Sequence, residues 1–329
     1  MLFMWNNLLN DIGMDARFSR NLLRIAAFMV LLMALDFAVT FMLEKGVRRF
    51  YGLDRQADVL LVGHSHLMLA VDKRLFEEGM HMQVAKYTRE GVNVADRFVM
   101  LEHYFDSRPG KCRLIVYGID PWLFTGKGLS ANSYKLFYPF MDYSHVDSYV
   151  RTHAENPYDY FSHKYFRSSR FNSLLINSAL RGYLGNWSNL KFGQLDTLKL
   201  KREIAVGDYR RISFDRENID TFNNTLPYLS AHAQTVILLN TPISGILSRA
   251  VRGDDDKVMA MIRSMAIRYP NVHVVDLSPE FEWKSECFFD PIHMNPEGQK
   301  RVTVAFSAVA ESLLVRTAQA SAMAPIGKR

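Results

Sequence analysis

The sequence predicts an α/β protein built on a doubly wound parallel sheet, carried behind one membrane-spanning helix. Three observations lead there. Short apolar runs bounded by turn residues recur along the chain, as buried parallel strands do. Helical patterns lie between or after them, which is the alternation of an α/β sheet. Near the N-terminus one apolar stretch is long enough to cross a bilayer core of about 30 Å.

That stretch runs from Ile25 to Leu43, interrupted only by Asp36 and Thr40, with Leu22 and Leu23 before it. We take 22–43 as an anchor. A secretory signal would have a shorter apolar region and a small-x-small cleavage site, and Leu43-Glu44-Lys45-Gly46 is not one. A buried core helix is the alternative. Arg17, Arg20 and Arg24 before the span balance Lys45, Arg48 and Arg49 after it, so charge does not set the orientation. Residues 1–21 read either as an amphipathic surface helix, from Met4-Trp5, Leu8-Leu9 and Ile12, or as a loose tail. A carboxylate within the span normally faces a partner, so Asp36 is expected to face another membrane protein or the headgroups.

A basic linker over 44–56 then leads to the first strand, Asp58–Gly63. Further strands are expected at Leu114–Gly118, Thr235–Asn240 and Val272–Leu277, with helices over Val94–Phe105, Lys257–Arg268 and Pro296–Leu314. Ligands in such sheets bind beyond the carboxyl ends of the strands. That rule gathers His64, Ser65, His66, Asp120 and Asn240 along one edge. The domain is expected over 44–317, with a disordered tail at 318–329.

Residues 124–216 break the alternation. Between Tyr134 and Phe166 lie 11 aromatics interleaved with charged residues. This insertion reads as a cap whose aromatic faces stack on sugar rings, or as a subdomain with its own aromatic core.

Composition narrows the classes. With 48% hydrophobic and 22% charged residues among 329, the chain is neither largely disordered nor polytopic. A net charge of +6 without any Lys/Arg block gives no nucleic-acid stripe. Cys112 and Cys287 are too few for a disulfide framework and match no zinc spacing.

Three short blocks carry chemistry. Gly63-His64-Ser65-His66 follows the first strand, so Ser65 stands at a tight turn where a nucleophilic hydroxyl is exposed near backbone N–H groups. Asp290-Pro291-Ile292-His293 enters the last helix, where Asn295 is a suitable N-cap and Pro296 a suitable first residue. One nitrogen of His293 can face the serine while Asp290 holds the other; local capping is the plainer role for this block. Gly91-Val92-Asn93 precedes a helix, so Gly91 offers an N–H to a developing oxyanion, or simply turns the chain.

Together these blocks resemble the SGNH/GDSL hydrolase superfamily, over roughly Asp58 to Leu314 minus the insertion. The resemblance implies a three-layer α/β/α, flavodoxin-like fold and a triad of Ser65, His293 and Asp290, with no cofactor and no metal. Transfer or hydrolysis of an O-acyl ester follows. It implies an oxyanion hole from Ser65, Gly91 and Asn93, with His66 and Asp120 near the substrate. Two departures stand out: His64 replaces the family's usual aspartate before the serine, and Gly118-Ile119-Asp120 replaces Gly-x-Asn. An ionised Asp120 cannot donate to an oxyanion. Either it is protonated, or Asn93 donates instead, or Asp120 is structural.

Within the superfamily, the chain is similar to a membrane-anchored subset that includes the teichoic-acid D-alanine-transfer protein and exopolysaccharide O-acetylation subunits. That similarity implies a single-pass protein of the cytoplasmic membrane with a periplasmic domain. It also implies a membrane-bound O-acyltransferase (MBOAT) partner and a glycan or cell-envelope polymer as substrate. The expected fold puts Cys112 and Cys287 at opposite ends of the sheet, too far apart to bridge. Two rival readings remain: a non-catalytic scaffold or glycan-binding subunit, and a metal-dependent hydrolase using His64 and His66 with Asp290 and His293.

Overall fold

Five parallel strands form the central sheet of the computed structural model, which describes residues 16–126 and 133–323. They are β1 (Val59–Gly63), β2 (Val84–Thr88), β3 (Cys112–Ile119), β4 (Ala233–Asn240) and β5 (Val272–Asp276), in the order β2-β1-β3-β4-β5. The helices are α1 (Ala16–Tyr51), α2 (Ser65–Ala70), α3 (Lys73–Met80), α4 (Val94–Ser107), α5 (Ser144–His153) and α6 (Pro157–Tyr165). They continue with α7 (Ser173–Leu184), α8 (Thr197–Ala205), α9 (Arg216–His232), α10 (Gly245–Ala266), α11 (Ser278–Phe281) and α12 (Pro296–Met323). A small antiparallel pair, β6 (Phe288–Asp290) and β7 (His293–Met294), precedes α12.

The sheet is covered on both faces, so its central strands β1, β3 and β4 are mostly apolar and buried. Alternate side chains divide between two cores. Leu60, Val62, Ile115 and Tyr117 pack with α4 and α9; Val59, Leu61, Leu114 and Val116 pack with α2, α3 and α12. Cys112 lies in the first core and Cys287 in the second, both as buried free thiols. The strand order reverses between β1 and β3, which makes their carboxyl ends the switch point of the sheet.

Strand β2 departs from the expected pattern because a lysine sits in it. Lys86 is buried, and its Nζ donates to the Met68 and Val71 carbonyls at 2.7 and 2.6 Å, fastening the end of α2 to the sheet. Burial pushes the ammonium down to about 7.

Three boundaries also differ. The expected linker over 44–56 is helical as far as Tyr51, because Val47, Phe50 and Tyr51 are buried in the first core. The expected tail over 318–329 is helical through Met323. Of the 1–21 segment, residues 1–15 lie outside the described residues, and α1 has begun at Ala16. Its 18–51 stretch is the one helix, among the described residues, long and apolar enough to cross a membrane, and almost none of the apolar part is buried.

The insertion divides its aromatics between a core and the surface, where Tyr158, Phe161, Tyr165 and Phe166 stay exposed. Tyr134, Phe137, Tyr138 and Phe140 are buried in a core continuous with that of the sheet. Acids within and beside the insertion accept from four of its tyrosine hydroxyls. Tyr134 and Tyr138 donate to Asp159, Tyr160 to Asp147, and Tyr149 to Asp96, all within 3.1 Å. Asp36 likewise finds its partner inside the chain, accepting from the Ser168 N–H at 3.0 Å.

Helix α7 lies against α1 through two glycines. A Cβ at Gly182 would stand 2.0 Å from the Gly46 carbonyl oxygen, and one at Gly46 would stand 2.5 Å from that of Ala179. Gly182→Ala is therefore expected to lower stability by about 1–3 kcal/mol, the usual range for overpacking. Thermal melting of the full chain in detergent tests this; an unchanged melting temperature would show that the helices separate freely.

Candidate active site

The site begins where β1 ends. Gly63 on β1 and Gly118 on β3 lie side by side, and Leu67 of α2 rests on both. A Cβ on either glycine would come 3.0 Å from the Leu67 Cβ. Extended backbone at His64 then turns the chain, and Ser65 opens α2. The Ser65 N–H, at the first position of a helix, has no intrahelical acceptor.

Ser65 Oγ is 2.8 Å from His293 Nε2, and His293 Nδ1 is 2.7 Å from Asp290 Oδ2. An ionised carboxylate only accepts, so Nδ1 carries the proton and the Nε2 lone pair faces the serine hydroxyl. The second oxygen of Asp290 accepts from the N–H groups of Ile292 and His293, each at 2.9 Å. Burial would raise the Asp290 carboxyl, but the His293 ring and these amides hold it below its ordinary range. The β6–β7 pair sets this geometry, since Asp290 and His293 are partners across it. Asn295 fixes the entry to α12, donating to the Glu286 carbonyl at 2.7 Å and accepting from the Gly298 N–H at 2.9 Å.

A second polar array lies behind the serine turn. The His66 N–H donates to His64 Nδ1 at 3.0 Å, so the His64 proton is on Nε2, which donates to Asp120 Oδ2 at 2.7 Å. The other Asp120 oxygen accepts from the Trp122 N–H at 2.8 Å. Arg97 Nη2 lies 3.9 Å from Asp120, while its Nη1 donates to the Gly118 carbonyl at 2.8 Å. Burial alone would raise the Asp120 carboxyl; His64, His66 and Arg97 instead hold it well below the carboxylate range. Burial also lowers His64, against the pull of Asp120, and the ring is neutral. Asp120, expected near the substrate, is thus buried with both oxygens engaged. It is an acceptor that positions the turn.

His66 is buried beside the triad, its ring edge-on to His293 at 5.4 Å. Burial pulls its imidazole well below the ordinary value, and its Nδ1 has no partner among the described residues. The loop carrying Gly91 and Asn93 stands beside the serine turn, because the Arg89 N–H donates to the Gly63 carbonyl at 3.2 Å. Gly91 adopts a left-handed φ of 79°. The Asn93 N–H donates to Asp96 and its Oδ1 accepts from the Asp96 N–H, a reciprocal helix cap. Only its side-chain NH2 is left as an oxyanion donor.

His64, His66 and Asp120 bring possible ligand atoms within 4.8 Å of one another. They do not fit a metal as they stand. Both His64 nitrogens are in hydrogen bonds, and the one facing Asp120 is protonated, whereas a ligating imidazole needs a free lone pair.

Trp122, Arg97 and Arg210 are parts of the site that the motifs do not reveal. Trp122 donates from its ring to the Arg210 carbonyl at 3.2 Å, and Arg210 lies over that ring at 5.2 Å. Residues 189–210 of the insertion form a strap along the site. It touches the Glu90 side chain through Lys191 and the triad hairpin through the Leu195 N–H. A cleft of about 520 Å³ opens beside the triad loop, lined by Lys201, Ile246, Arg249 and Trp283. The Ser244 N–H, at its edge, donates to the Pro291 carbonyl at 2.8 Å.

Fold and site together define an α/β protein with a hydrogen-bonded Ser-His-Asp constellation at the switch point of its sheet. No protein-family model matches the chain, and no curated protein does. Among solved structures it is similar to a lipase/acylhydrolase from Enterococcus faecalis, with 10% identity, 77% of this chain and 95% of that one covered, and a TM-score of 0.38. It is also similar to an α/β hydrolase enzyme from the metagenome of Lake Arreo, Spain, at 12% identity, 78% and 95% coverage and a TM-score of 0.39. Likeness at this level concerns chain path, and the functional reading rests on the side-chain geometry.

The Asp120 array has a pH signature. Its folded carboxyl is depressed, so the unfolded chain binds the extra proton as the pH falls through about 4. The stabilisation is present above that pH and is lost progressively below it. Asp120→Asn is expected to be less stable than wild type at pH 7, with the two melting temperatures converging as the pH drops from about 5 to about 2. Parallel curves over that range would mean that Asp120 is not ionised against His64.

Proposed function

We propose that this protein is a membrane-anchored serine O-acyltransferase or esterase of the SGNH kind, acting through an acyl-serine intermediate. The substrate is an extracytoplasmic glycan or cell-envelope polymer. The observation that carries the reading is the unbroken relay from Asp290 through His293 to Ser65, with each link within 2.8 Å.

The chemistry follows from the tautomer. His293 Nε2 takes the Ser65 proton as Oγ attacks the acyl carbonyl, and Asp290 stabilises the imidazolium so formed. The developing oxyanion is met by the Ser65 N–H, with Gly91 and the Asn93 side-chain amide as further donors. His293 then returns the proton to the leaving alcohol as its bond to the acyl carbon breaks. In the second half, an acceptor hydroxyl gives its proton to Nε2 and attacks the acyl-serine, freeing Ser65. Water in place of the acceptor gives hydrolysis.

The rest of the reading concerns setting. The α1 helix holds the domain at the cytoplasmic membrane, on its periplasmic side, where an MBOAT-type membrane acyltransferase supplies the acyl group. The cleft beside the triad loop suits an acceptor sugar. Trp283, exposed there with Arg249 over its ring at 5.0 Å, offers an aromatic face among charged and hydroxyl groups.

Incubation with p-nitrophenyl acetate, followed by intact-protein mass spectrometry, tests the core of this. An acetyl adduct is expected on wild type and not on Ser65→Ala. Slow loss of the adduct in water marks a transferase, and fast loss an esterase. Asp290→Asn is expected to lower kcat by roughly 10³–10⁴-fold, through the wrong His293 tautomer. No adduct and no ester cleavage on wild type would sink the serine reading and favour a scaffold.

A further inference from the structure

We propose that residues 157–174 form a lipid-facing shelf. It sits in the headgroup–acyl boundary of the leaflet through which α1 leaves the membrane. The inference rests on reading α1 as a membrane span.

The surface has the right form. Tyr158, Phe161 and Tyr165 recur at helical spacing, so they share one face of α6. They are 82%, 48% and 73% exposed, and Phe166 and Leu174, at 69% and 60%, continue the patch. The rings of Phe161 and Tyr165 lie parallel, 6.1 Å apart. On the opposite side, Tyr160 is buried and donates to Asp147. Helix α6 is thus a short amphipathic helix whose aromatic side has no protein over it among the described residues. Aromatic residues of this kind gather at membrane–water interfaces.

Its position relative to α1 names the occupant. The Asp36 carboxylate accepts from the Ser168 N–H, and Arg167 lies over the Phe37 ring at 5.4 Å, so the turn after α6 touches α1 at these residues. From Asp36 to Leu43, where the apolar span ends, the helix rises about 10 Å at 1.5 Å per residue, about a third of a hydrocarbon core. The Asp36–Ser168 and Phe37–Arg167 contacts therefore lie in the outer third of the acyl core, on the side where the helix leaves it. Val39, Phe41 and Met42, between these contacts and that exit, are exposed. One side of α1 at this level shows these apolar residues, and the other carries the shelf. Both belong to the same shallow zone, about 5–10 Å deep, that interfacial helices occupy. Cations flank the patch: Lys164 pairs with Asp147 at 2.8 Å and Arg167 with Asp142 at 2.9 Å. A domain held by both span and shelf cannot swivel freely on its anchor.

Site-directed spin labelling of the full chain tests this, in vesicles of phosphatidylcholine and phosphatidylglycerol. The native cysteines are buried, so a thiol reagent reaches only an introduced one. Labels would be placed by Phe161→Cys, Phe166→Cys and Leu174→Cys in the shelf. Leu31→Cys reports on the span, and Ile267→Cys, at a residue 83% exposed just past α10, is the aqueous control. Shelf labels are expected to collide more with oxygen than with a water-soluble nickel chelate, at a depth shallower than Leu31. If Leu31 reads lipid while the shelf labels read water, the shelf is overturned and the anchor stands. If Leu31 itself reads water, the span falls and the shelf with it. Immobile shelf labels shielded from both reagents would mean a protein occupant, which also overturns the lipid assignment.

Discussion

The closeness of Gly63 to Gly118 is the constraint on which the site depends. Side chains on both would hold Leu67, and with it α2, away from the carboxyl edge of the sheet. With bare backbone there, Leu67 lies across β1 and β3 at once, and the chain can turn within two residues of the strand end. Neither glycine has a left-handed φ, so steric clearance and not conformational freedom is what the position demands. The His64–Asp120 hydrogen bond spans the same two strand ends and fastens the junction with polar contacts. Ser65 is thereby held at a fixed point over the switch of the sheet, within reach of a hairpin more than two hundred residues later in the chain.

Much of this is legible in the sequence, for identifiable reasons. Strands β1, β3 and β4 read as strands because burial on both faces makes them mostly apolar, and the half-buried edge strand β5 reads as one through Val272, Val274 and Val275. Ser65, Asp290 and His293 read as a constellation because a strand end and a helix start have strong local signatures, and nothing but tertiary folding was needed to bring them together. Strand β2 is hidden by Lys86, whose charge looks exterior until the Met68 and Val71 carbonyls are seen beside it. Arg97 is hidden in the same way, as a polar residue on the buried face of α4. The insertion stays open in the sequence because aromatic-and-acid composition suits a glycan surface and a tyrosine–aspartate core equally well; only the fold says which side chains face inward.

Helix α1 is the second organising element. Its exposed half meets the domain at Asp36 and Phe37, while its last turns are part of the main core through Val47, Phe50 and Tyr51. One rigid helix therefore passes from lipid-like exposure into the protein interior without a flexible joint. The small residues Gly46, Ala179 and Gly182 let α7 approach closely, in the manner of helices that associate through backbone contact. The Tyr183 hydroxyl, on the Met42 carbonyl, and the Trp187 ring N–H, on that of Arg49, pair with carbonyls near the end of α1. Seen from α1, the insertion joins the sheet to this helix through α7 and the turn after α6.

Asp120 remains the feature that most needs a physical explanation, because a buried carboxylate near Ser65 would oppose the charge that develops in the proposed attack. The arrangement answers this in two ways. Both oxygens are covered by donors, His64 Nε2–H and the Trp122 N–H, so the charge is spread into the surrounding hydrogen bonds. Arg97, buried and 3.9 Å away, supplies an opposite charge that keeps the net field of the array small. Breaking such a pair by removing one partner costs far more than the pair itself contributes, which makes Asp120 and Arg97 interdependent. An asparagine here would donate to an oxyanion but would give His64 a weaker acceptor. The aspartate gives up the donor and gains a turn locked in one tautomer, with Nδ1 of His64 fixing the His66 backbone and Nε2 fixing the strand ends. In the proposed reaction, oxyanion stabilisation is then left to the Ser65 N–H and the Gly91–Asn93 loop, since neither oxygen of an ionised Asp120 can donate.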